Sequence, residues 1–233
     1  SFPNPICCIA AAPGQAGIAL AGVVASFALM VAMAIMVGSF RDSVDRWLGR
    51  VLAAPLYFRV PLGGSSAFVA PAEIAAIAAH PALERVEWMR VQQFDLDPAR
   101  PPVTLMARTL DRDNPGERIP LTGDTLARAQ IPPDTLPVWV SEAMVDLYGW
   151  SPGSRQTLPL GGRAVAVTVA GVWRDFARQH GTVTLNLDDY QHLSDDRGIT
   201  DAALWPRAGT SAAALTEALQ REVPATHHLE FGE

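Results

Sequence analysis

The chain has 233 residues and a net charge of −6, and every one of its 18 basic residues is an arginine. Because these arginines form no continuous basic stripe, the composition excludes nucleic acid as an expected partner. No charged residue precedes Arg41, so the chain divides into an apolar first part and a remainder of ordinary polarity, long enough for one large or two small globular units. Because the chain begins with Ser1 rather than Met, we expect it to be part of a longer protein.

The longest apolar stretch covers residues 16–40, AGIALAGVVASFALMVAMAIMVGSF. At about 1.5 Å per residue, a helix of this length exceeds the roughly 30 Å hydrocarbon core of a bilayer. A buried core helix is usually shorter and carries polar residues, and a cleaved signal peptide begins with basic residues, which are missing here. The sequence therefore predicts a transmembrane helix over residues 16–40, after a flank of residues 1–15 that contains Cys7 and Cys8.

Small residues recur at four-residue spacing within the predicted span. They are Gly17, Ala21 and Ala25, with Gly22 and Ser26 one position further round the helix. Small residues at this spacing let another helix approach closely, which predicts packing against other transmembrane helices. Alanine and glycine are also common in such helices without any packing role, and the pattern alone does not separate the two interpretations.

An amphipathic segment follows the span over residues 41–54. It begins at Arg41, and its apolar residues Val44, Trp47, Leu48 and Val51 fall at helical spacing. Trp47 combines an aromatic ring with a polar N–H, which suits a membrane interface. The segment either lies on the membrane or continues the span as a stalk, and the nearby arginines do not decide its orientation.

The soluble remainder falls into three blocks of strand and helix patterns. Residues 55–134 show a strand at 56–62, a helix at 71–80, strands at 86–96 and 103–110, and a proline-rich loop. Residues 135–196 show residues 137–140 entering a helix capped by Ser141, then short strands at 155–160, 163–172 and 182–187. Residues 197–233 show a strand at 202–205, a helix capped by Thr210 and a last strand at 228–231. The order βαββ, a β-rich insertion, then βαβ predicts an α+β fold.

One segment has the spacing of a catalytic motif. Gly149-Trp150-Ser151-Pro152-Gly153 matches the G-x-S-x-G pattern of a nucleophile elbow. That elbow needs a strand before the serine and a helix after it, whereas here the predicted order is reversed. Pro152 also has no N–H to stabilise an oxyanion. We interpret the segment as a turn that ends a helix.

Other candidate ligands lack the spacing that a metal or nucleotide site requires. The histidines are interpreted as loop or surface residues: His80, His180, His192, His227 and His228. The pairs Asp95 with Asp97 and Asp111 with Asp113 are interpreted as turn residues. The sequence has no phosphate-binding glycine loop, so any ATP must be bound by a partner, and no cofactor is expected.

Two ordered sets of short motifs stand out. The first comprises residues 25–41, Ser43-Val44, Trp47-Leu48 and Leu56-Tyr57. The second comprises Val140-Ser141-Glu142-Ala143, Leu147-Tyr148-Gly149, Pro152-Gly153, Val169-Ala170-Gly171-Val172-Trp173-Arg174-Asp175 and Gly181-Thr182-Val183. Together they resemble the signatures of FtsX/MacB-like ABC transporter permeases. Members of that family often have aspartate where this chain has Pro55, so its first strand is expected to begin with a different bend.

The resemblance implies one N-terminal transmembrane helix and stalk, then a porter-like βαββ…βαβ ectodomain with an inserted small β-rich subdomain. The porter-like parts would be residues 55–134 and 197–233, and the inserted part residues 135–196. The implied location is the bacterial inner (cytoplasmic) membrane, with residues after about 41 in the periplasm. The implied partners are an ATP-binding-cassette ATPase subunit, other transmembrane helices of the same permease or of a second copy, and the lipid bilayer.

Three hypotheses of function follow. The first is a permease subunit, itself not an enzyme, whose periplasmic domain couples ATP-driven helix motion to export or membrane extraction of lipid, lipoprotein or a similar substrate. The second is a periplasmic sensor or binding module anchored by a single helix. The third, disfavoured by the search for catalytic motifs, is a membrane-anchored hydrolase.

Overall fold

A computed structural model of the chain describes residues 13–61, 68–223, 226 and 228–232. The chain divides into two compact units, Ser1–Gly49 and Arg50–Glu233. The cysteine pair Cys7 and Cys8, the expected turn at Gly63-Gly64 and His227 lie outside the described residues.

The first helix, α1, spans Pro13–Val51 in 39 residues. It begins with a proline, whose fixed φ and missing N–H suit the first position of a helix. It then runs without a break through both the predicted span and most of the predicted amphipathic segment. The prediction of one N-terminal apolar helix ahead of an α+β domain is confirmed.

In the described residues of the second unit there are nine strands, which form one mixed sheet, and four helices. The strands are β1 Leu56–Arg59, β2 Leu83–Phe94, β3 Val103–Arg108, β4 Leu136–Ser141, β5 Arg155–Leu160, β6 Arg163–Trp173, β7 Thr182–Asn186, β8 Asp201–Pro206 and β9 Glu230–Gly232. The helices are α2 Pro71–Ala78, α3 Glu142–Tyr148, α4 Leu187–Ser194 and α5 Ala212–Glu222, with short 3₁₀ turns at Pro115–Glu117 and Arg128–Gln130. The βαββ order at the start and the βαβ order at the end are therefore confirmed.

The strands lie in the order β5-β6-β4-β7-β3-β2-β8-β1-β9. The pairs β3 with β7 and β4 with β6 are parallel, and the other pairs are antiparallel. Strands β4 to β7, which belong to the predicted insertion, thus share one sheet with the strands that flank it in the sequence. The division of residues 55–233 into porter-like and inserted parts stays a prediction.

The two faces of the sheet are covered differently. Val138 and Val140 of β4 belong to the main core, which also contains Ile77 of α2 and Leu219 of α5. Trp139, between the two valines, points to the opposite face because side chains alternate along a strand. There it joins a second cluster made of Leu110, Ile119, Trp139, Ala170 and Trp173. The proline-rich segment between β3 and β4, expected to be a loop, therefore covers part of this second face.

Two helix caps differ from the expected ones, and residues 137–140 form strand β4 rather than the start of a helix. Ser141 is the residue before α3, but its hydroxyl accepts the N–H of Thr182 instead of capping the helix. Ser211, not Thr210, caps α5, because its hydroxyl accepts the N–H of Ala214. The Ser141 hydroxyl is thus used by a distant strand, whereas α5 begins one residue later than the sequence predicts.

Helix α4, Leu187–Ser194, was not expected from the sequence. It is short, and only Leu187 and Tyr190 are buried, so it gives almost no apolar periodicity. Its available signal is the cap, since Asn186 accepts the N–H of Asp188 and two aspartates occupy the first turn.

Replacing Gly181 by alanine should destabilise the second unit by about 2–4 kcal/mol. Gly181 has φ +106°, and an added Cβ would lie 2.5 Å from Sδ of the fully buried Met144. Gly153→Ala is the matched control, because Gly153 also has positive φ but open space around it, so only roughly 1–2 kcal/mol is expected. Guanidinium unfolding in uncharged detergent, followed by tryptophan fluorescence, measures both; equal losses would contradict the contact argument.

Candidate functional site

The most conspicuous surface of the chain is the apolar one on α1. The part Gly17–Gly49 is 33 residues long, has a mean hydropathy of 2.5 in its most apolar window, and has none of that window buried. Phe27 and Phe40, for example, are each 65% exposed. Contiguous apolar surface of this size is unfavourable in water. By length and composition, this helix can cross a membrane.

The five small residues predicted to pack against other helices all lie on α1. An added Cβ at Gly17 or Gly22 would meet no atom within 4 Å. Ser26 donates its hydroxyl to the carbonyl of Gly22 at 2.8 Å, so its polar group is satisfied within its own helix. Packing of Gly17, Ala21, Gly22, Ala25 and Ser26 against a neighbouring helix stays a prediction.

The charged end of α1 carries local contacts along its own axis. Arg41 lies 4.0 Å from Asp45 one turn on, and Arg46 donates to the carbonyl of Asp42 at 3.0 Å. Of the predicted stalk residues, Val44, Trp47 and Val51 are partly buried, whereas Leu48 is exposed. The predicted stalk residues all lie on α1. Their role in passing motion from the membrane to the second unit stays a prediction.

Tyr57 fastens the segment that follows α1 to the first strand. Its hydroxyl accepts the N–H of Ala54 at 2.8 Å and donates to the carbonyl of Val51 at 3.4 Å. The last carbonyls of a helix have no partner within the helix, so the second bond satisfies one of them. Burial raises the pKa of Tyr57 above its ordinary value. The phenol is protonated at neutral pH and can donate this bond.

The sequence predicts Tyr57 within a strand but indicates no role for its hydroxyl group. The signal that could have found it is its position six residues after the last helical residue on an otherwise apolar strand, where a buried hydroxyl needs a partner. Pro55, the departure from the family pattern, lies in the connection that Tyr57 spans.

The second set of signature motifs comes together around the carboxylate of Asp175. The Asp175 side chain is fully buried, and it accepts hydrogen bonds from the Thr182 hydroxyl at 2.8 Å and the Ala177 N–H at 3.0 Å. Arg178 lies 3.2 Å from it. Since Thr182 also donates its N–H to the hydroxyl of Ser141, these bonds fix the loop from β6 to β7 against the end of β4.

A bidentate ion pair joins the same two regions from outside. Arg174 donates to the two carboxylate oxygens of Glu142 at 3.0 and 2.9 Å. The hydrogen bonds that Arg174 donates to Glu142, together with the charge of that carboxylate, raise the pKa of Arg174. Both side chains are a little under half exposed, so the pair adds less stability than the buried bonds of Asp175. The second signature is thus a clasp between three chain segments.

The segment with the G-x-S-x-G spacing forms a turn rather than a nucleophile elbow. Gly149 has φ +71° and ends α3, and strand β5 follows, so the interpretation of Gly149 to Gly153 as a helix-ending turn is confirmed. Asp97 and Asp111 each accept a backbone N–H two residues on, which confirms their role in turns. Within the described residues, no group of three or more possible metal ligands is present.

The histidines occupy different environments. His180, His192 and His228 are exposed, as expected. His80 is buried: its Nδ1 accepts the N–H of Ala82 at 3.2 Å, and its Nε2 lies 3.2 Å from Glu222 of α5. A core contact between the ends of two helices accounts for this residue.

No protein-family model matches the sequence, and no curated protein matches it. Among solved structures, the chain is similar to the periplasmic region of MacB from Actinobacillus actinomycetemcomitans, with 9% identity and a TM-score of 0.49 over 80% of this chain and 91% of that one. It is also similar to the extracellular domain of the noncanonic ABC-type transporter YknZ from Gram-positive bacteria, with 12% identity and a TM-score of 0.44 over 77% of this chain and 100% of that one. At these values the similarity concerns the arrangement of strands and helices alone.

Replacing Tyr57 by phenylalanine should loosen the segment between α1 and β1. The substitution removes both hydrogen bonds, each worth about 0.5–1.5 kcal/mol, so the Ala54 amide should exchange its hydrogen about five- to tenfold faster. Tyr148→Phe is the control, because the ring of Tyr148, 4.8 Å from the Arg100 guanidinium, survives that change. Unchanged exchange at Ala54 in Tyr57→Phe would show that the hydroxyl does not hold this segment.

Replacing Asp175 by asparagine should cost about 2–4 kcal/mol of unfolding free energy, because an amide group would face donors inside a buried site. Glu142→Gln, which weakens the outer ion pair, should cost less than about 1 kcal/mol. Chemical denaturation in uncharged detergent compares the two. A larger loss of unfolding free energy in Glu142→Gln than in Asp175→Asn would contradict the assignment of Asp175 as the centre of the clasp.

Proposed function

We propose that the chain is a permease subunit of an ABC transporter, in which α1 passes ATP-driven motion to the second unit. The observation that carries this proposal is the continuity of α1. One helix bears apolar side chains suited to a bilayer and ends at Val51, where Tyr57 of the first strand bonds to it. A continuous helix can transmit a displacement along its own axis, whereas a flexible tether cannot.

The proposed arrangement assigns a role to each part of α1. The small residues Gly17, Ala21, Gly22, Ala25 and Ser26 would meet neighbouring transmembrane helices of the same permease or a second copy. The segment from Arg41 to Val51 would be the stalk. The motif resemblance in the sequence supports a location in the bacterial inner membrane, with residues after about 41 in the periplasm and an ATP-binding-cassette ATPase on the cytoplasmic side.

The second unit would be the moving part outside the membrane. Its clasp around Asp175 holds the end of β4 to the loop before β7, so a force applied at β1 would reach a sheet that moves as one body. Export, or extraction from the membrane, of lipid, lipoprotein or a similar substrate fits such mechanical coupling, because the substrate need not pass through the helices themselves.

A sensor or binding module anchored by α1 is the second candidate. The observation that favours it is an open groove of about 380 Å³ between β9 and α5, lined by Leu56, Thr216 and Phe231 among others. The groove has no buried charged residue among its lining residues, so it gives a ligand little to recognise.

Inserting six alternating glycine and serine residues after Trp47 tests the coupling. We expect the variant to fold, to co-purify with its ATPase and to leave ATP binding intact, but to lose the ability to restore the phenotype of a strain lacking the gene. The control insertion after Gly209, which lies in an exposed turn with φ +89°, should restore the phenotype fully.

Two outcomes would contradict the proposal. Restored function with the insertion after Trp47 would show that α1 does not act as a stalk. Failure of the wild-type chain to co-purify with any ATPase would favour the anchored sensor.

A further inference from the structure

The second face of the sheet carries charged side chains close to the start of β1. Tyr57, Ala203 and Glu87 occupy one row across β1, β8 and β2, so their side chains point to the same face. Arg108 of β3 pairs with Met89, two residues beyond Glu87, and therefore shares this face.

One carboxylate, that of Glu87, lies among three guanidinium groups and forms ion pairs with two of them. Arg118 lies 2.7 Å and Arg85 3.8 Å from Oε1 of Glu87, and the charge of Glu87 also acts on Arg108. Other charges on this face are already paired, Arg59 with Asp201 and Arg178 with Asp175. Three positive groups against one negative group leave two positive charges uncompensated by the described residues of the cluster.

Arg108 has the least compensated of these charges. The residue is only 8% exposed, and among the described residues its sole hydrogen bond is from Nη1 to the carbonyl of Arg118, at 3.3 Å. No carboxylate forms an ion pair with it within the described part of the chain. Burial lowers the pKa of Arg108, and Glu87 offsets this only in part. A buried cation without an ion-pair partner is costly, and binding an anion would relieve that cost.

The chemistry of the cluster selects among anions. Planar guanidinium groups bind oxyanions through paired N–H donors. A carboxylate offers two oxygens and one charge, whereas a phosphate group offers three or four oxygens and up to two charges. Half-exposed Arg85, which stacks 3.7 Å from the centre of the Trp205 ring, lies at the open side of the cluster, through which a ligand could enter.

We propose that Arg85, Arg108 and Arg118 form a binding site for a phosphate group on this face of the sheet, beside the hydroxyl of Tyr57. The phosphate is either free inorganic phosphate or the headgroup phosphate of an anionic phospholipid. The site does not depend on coupling to an ATPase, so its test is separate from that of the permease proposal.

Calorimetric titration of the chain in maltoside micelles with inorganic phosphate, and separately with the short-chain lipid dihexanoyl-phosphatidylglycerol, tests the site. Wild-type chain should bind at least one of the two, and Arg108→Gln and Arg118→Gln should each weaken that binding about tenfold or more. Arg221→Gln is the matched control, because Arg221 is an exposed arginine paired with Glu217 one turn away on α5; it should leave binding unchanged. Tighter binding of the lipid identifies a headgroup site, and tighter binding of inorganic phosphate identifies a site for the free ion.

Several results would overturn the proposal. One is failure of both ligands to bind the wild-type chain. Another is equal binding by wild type and Arg108→Gln. Should Arg108→Gln unfold, as circular dichroism would show, Arg85→Gln replaces it, because Arg85 is half exposed and its loss spares the core. Binding that survives Arg85→Gln undiminished would then refute the site.

Discussion

The apolar surface of α1 is the constraint on which the rest of the structure depends. Each large apolar side chain left in water forgoes about 1.5–3 kcal/mol, and the exposed apolar residues of α1 together forgo tens of kcal/mol. No single hydrogen bond or ion pair in the second unit approaches that sum. The helix therefore needs a bilayer or neighbouring helices around it, and the folded sheet must connect to a segment whose position the membrane decides.

That connection is short and has no polar side chain of its own. Four residues separate Val51 from Leu56, too few to form a packed element of their own. The phenol of Tyr57 supplies both a donor and an acceptor to this connection, which lets one side chain satisfy the end of a helix and a loop amide together. Further along the chain, Asp175 does the same for the loop before β7, where one buried carboxylate serves several donors. In both places, one side chain with several hydrogen bonds lies where a regular helix or strand ends.

The sequence predicts the features that depend on residues close together in the chain. The apolar length of residues 16–40, the strand alternations and the turn at Gly149 follow from side-chain chemistry within a few residues, and the structure has them. Helix α4 is not predicted because its burial is limited to Leu187 and Tyr190. Strand β4 is not predicted because residues 137–140 lead directly into the helix that follows. Hydrogen bonds of hydroxyl groups, such as that between Ser141 and Thr182, cannot be predicted from local spacing, because they join residues 41 positions apart.

The candidate sites differ in the same way: some depend on residues close together in the sequence, and others on residues far apart. The stalk and small-residue positions on α1 came from periodicity, but the cluster of Arg85, Glu87, Arg108 and Arg118 depends on strand pairing and on the fold of the segment after β3. In the sequence these residues look like ordinary surface charges. Folding brings Arg85 and Arg118 to the carboxylate of Glu87, with Arg108 nearby on the same face of the sheet.

The position of the arginine cluster links it physically to the end of α1. The charges of Arg108, Glu87 and Arg118 all act on the phenol of Tyr57, two of them lowering its pKa and Glu87 raising it. The phenol is protonated at neutral pH whether or not an anion is bound, so an anion would leave its hydrogen bonds to Ala54 and Val51 in place. A ligand that binds the native face and not the unfolded chain stabilises that face by mass action. Occupancy of the face is therefore expected to stabilise the second unit as a whole, including the first strand that carries Tyr57.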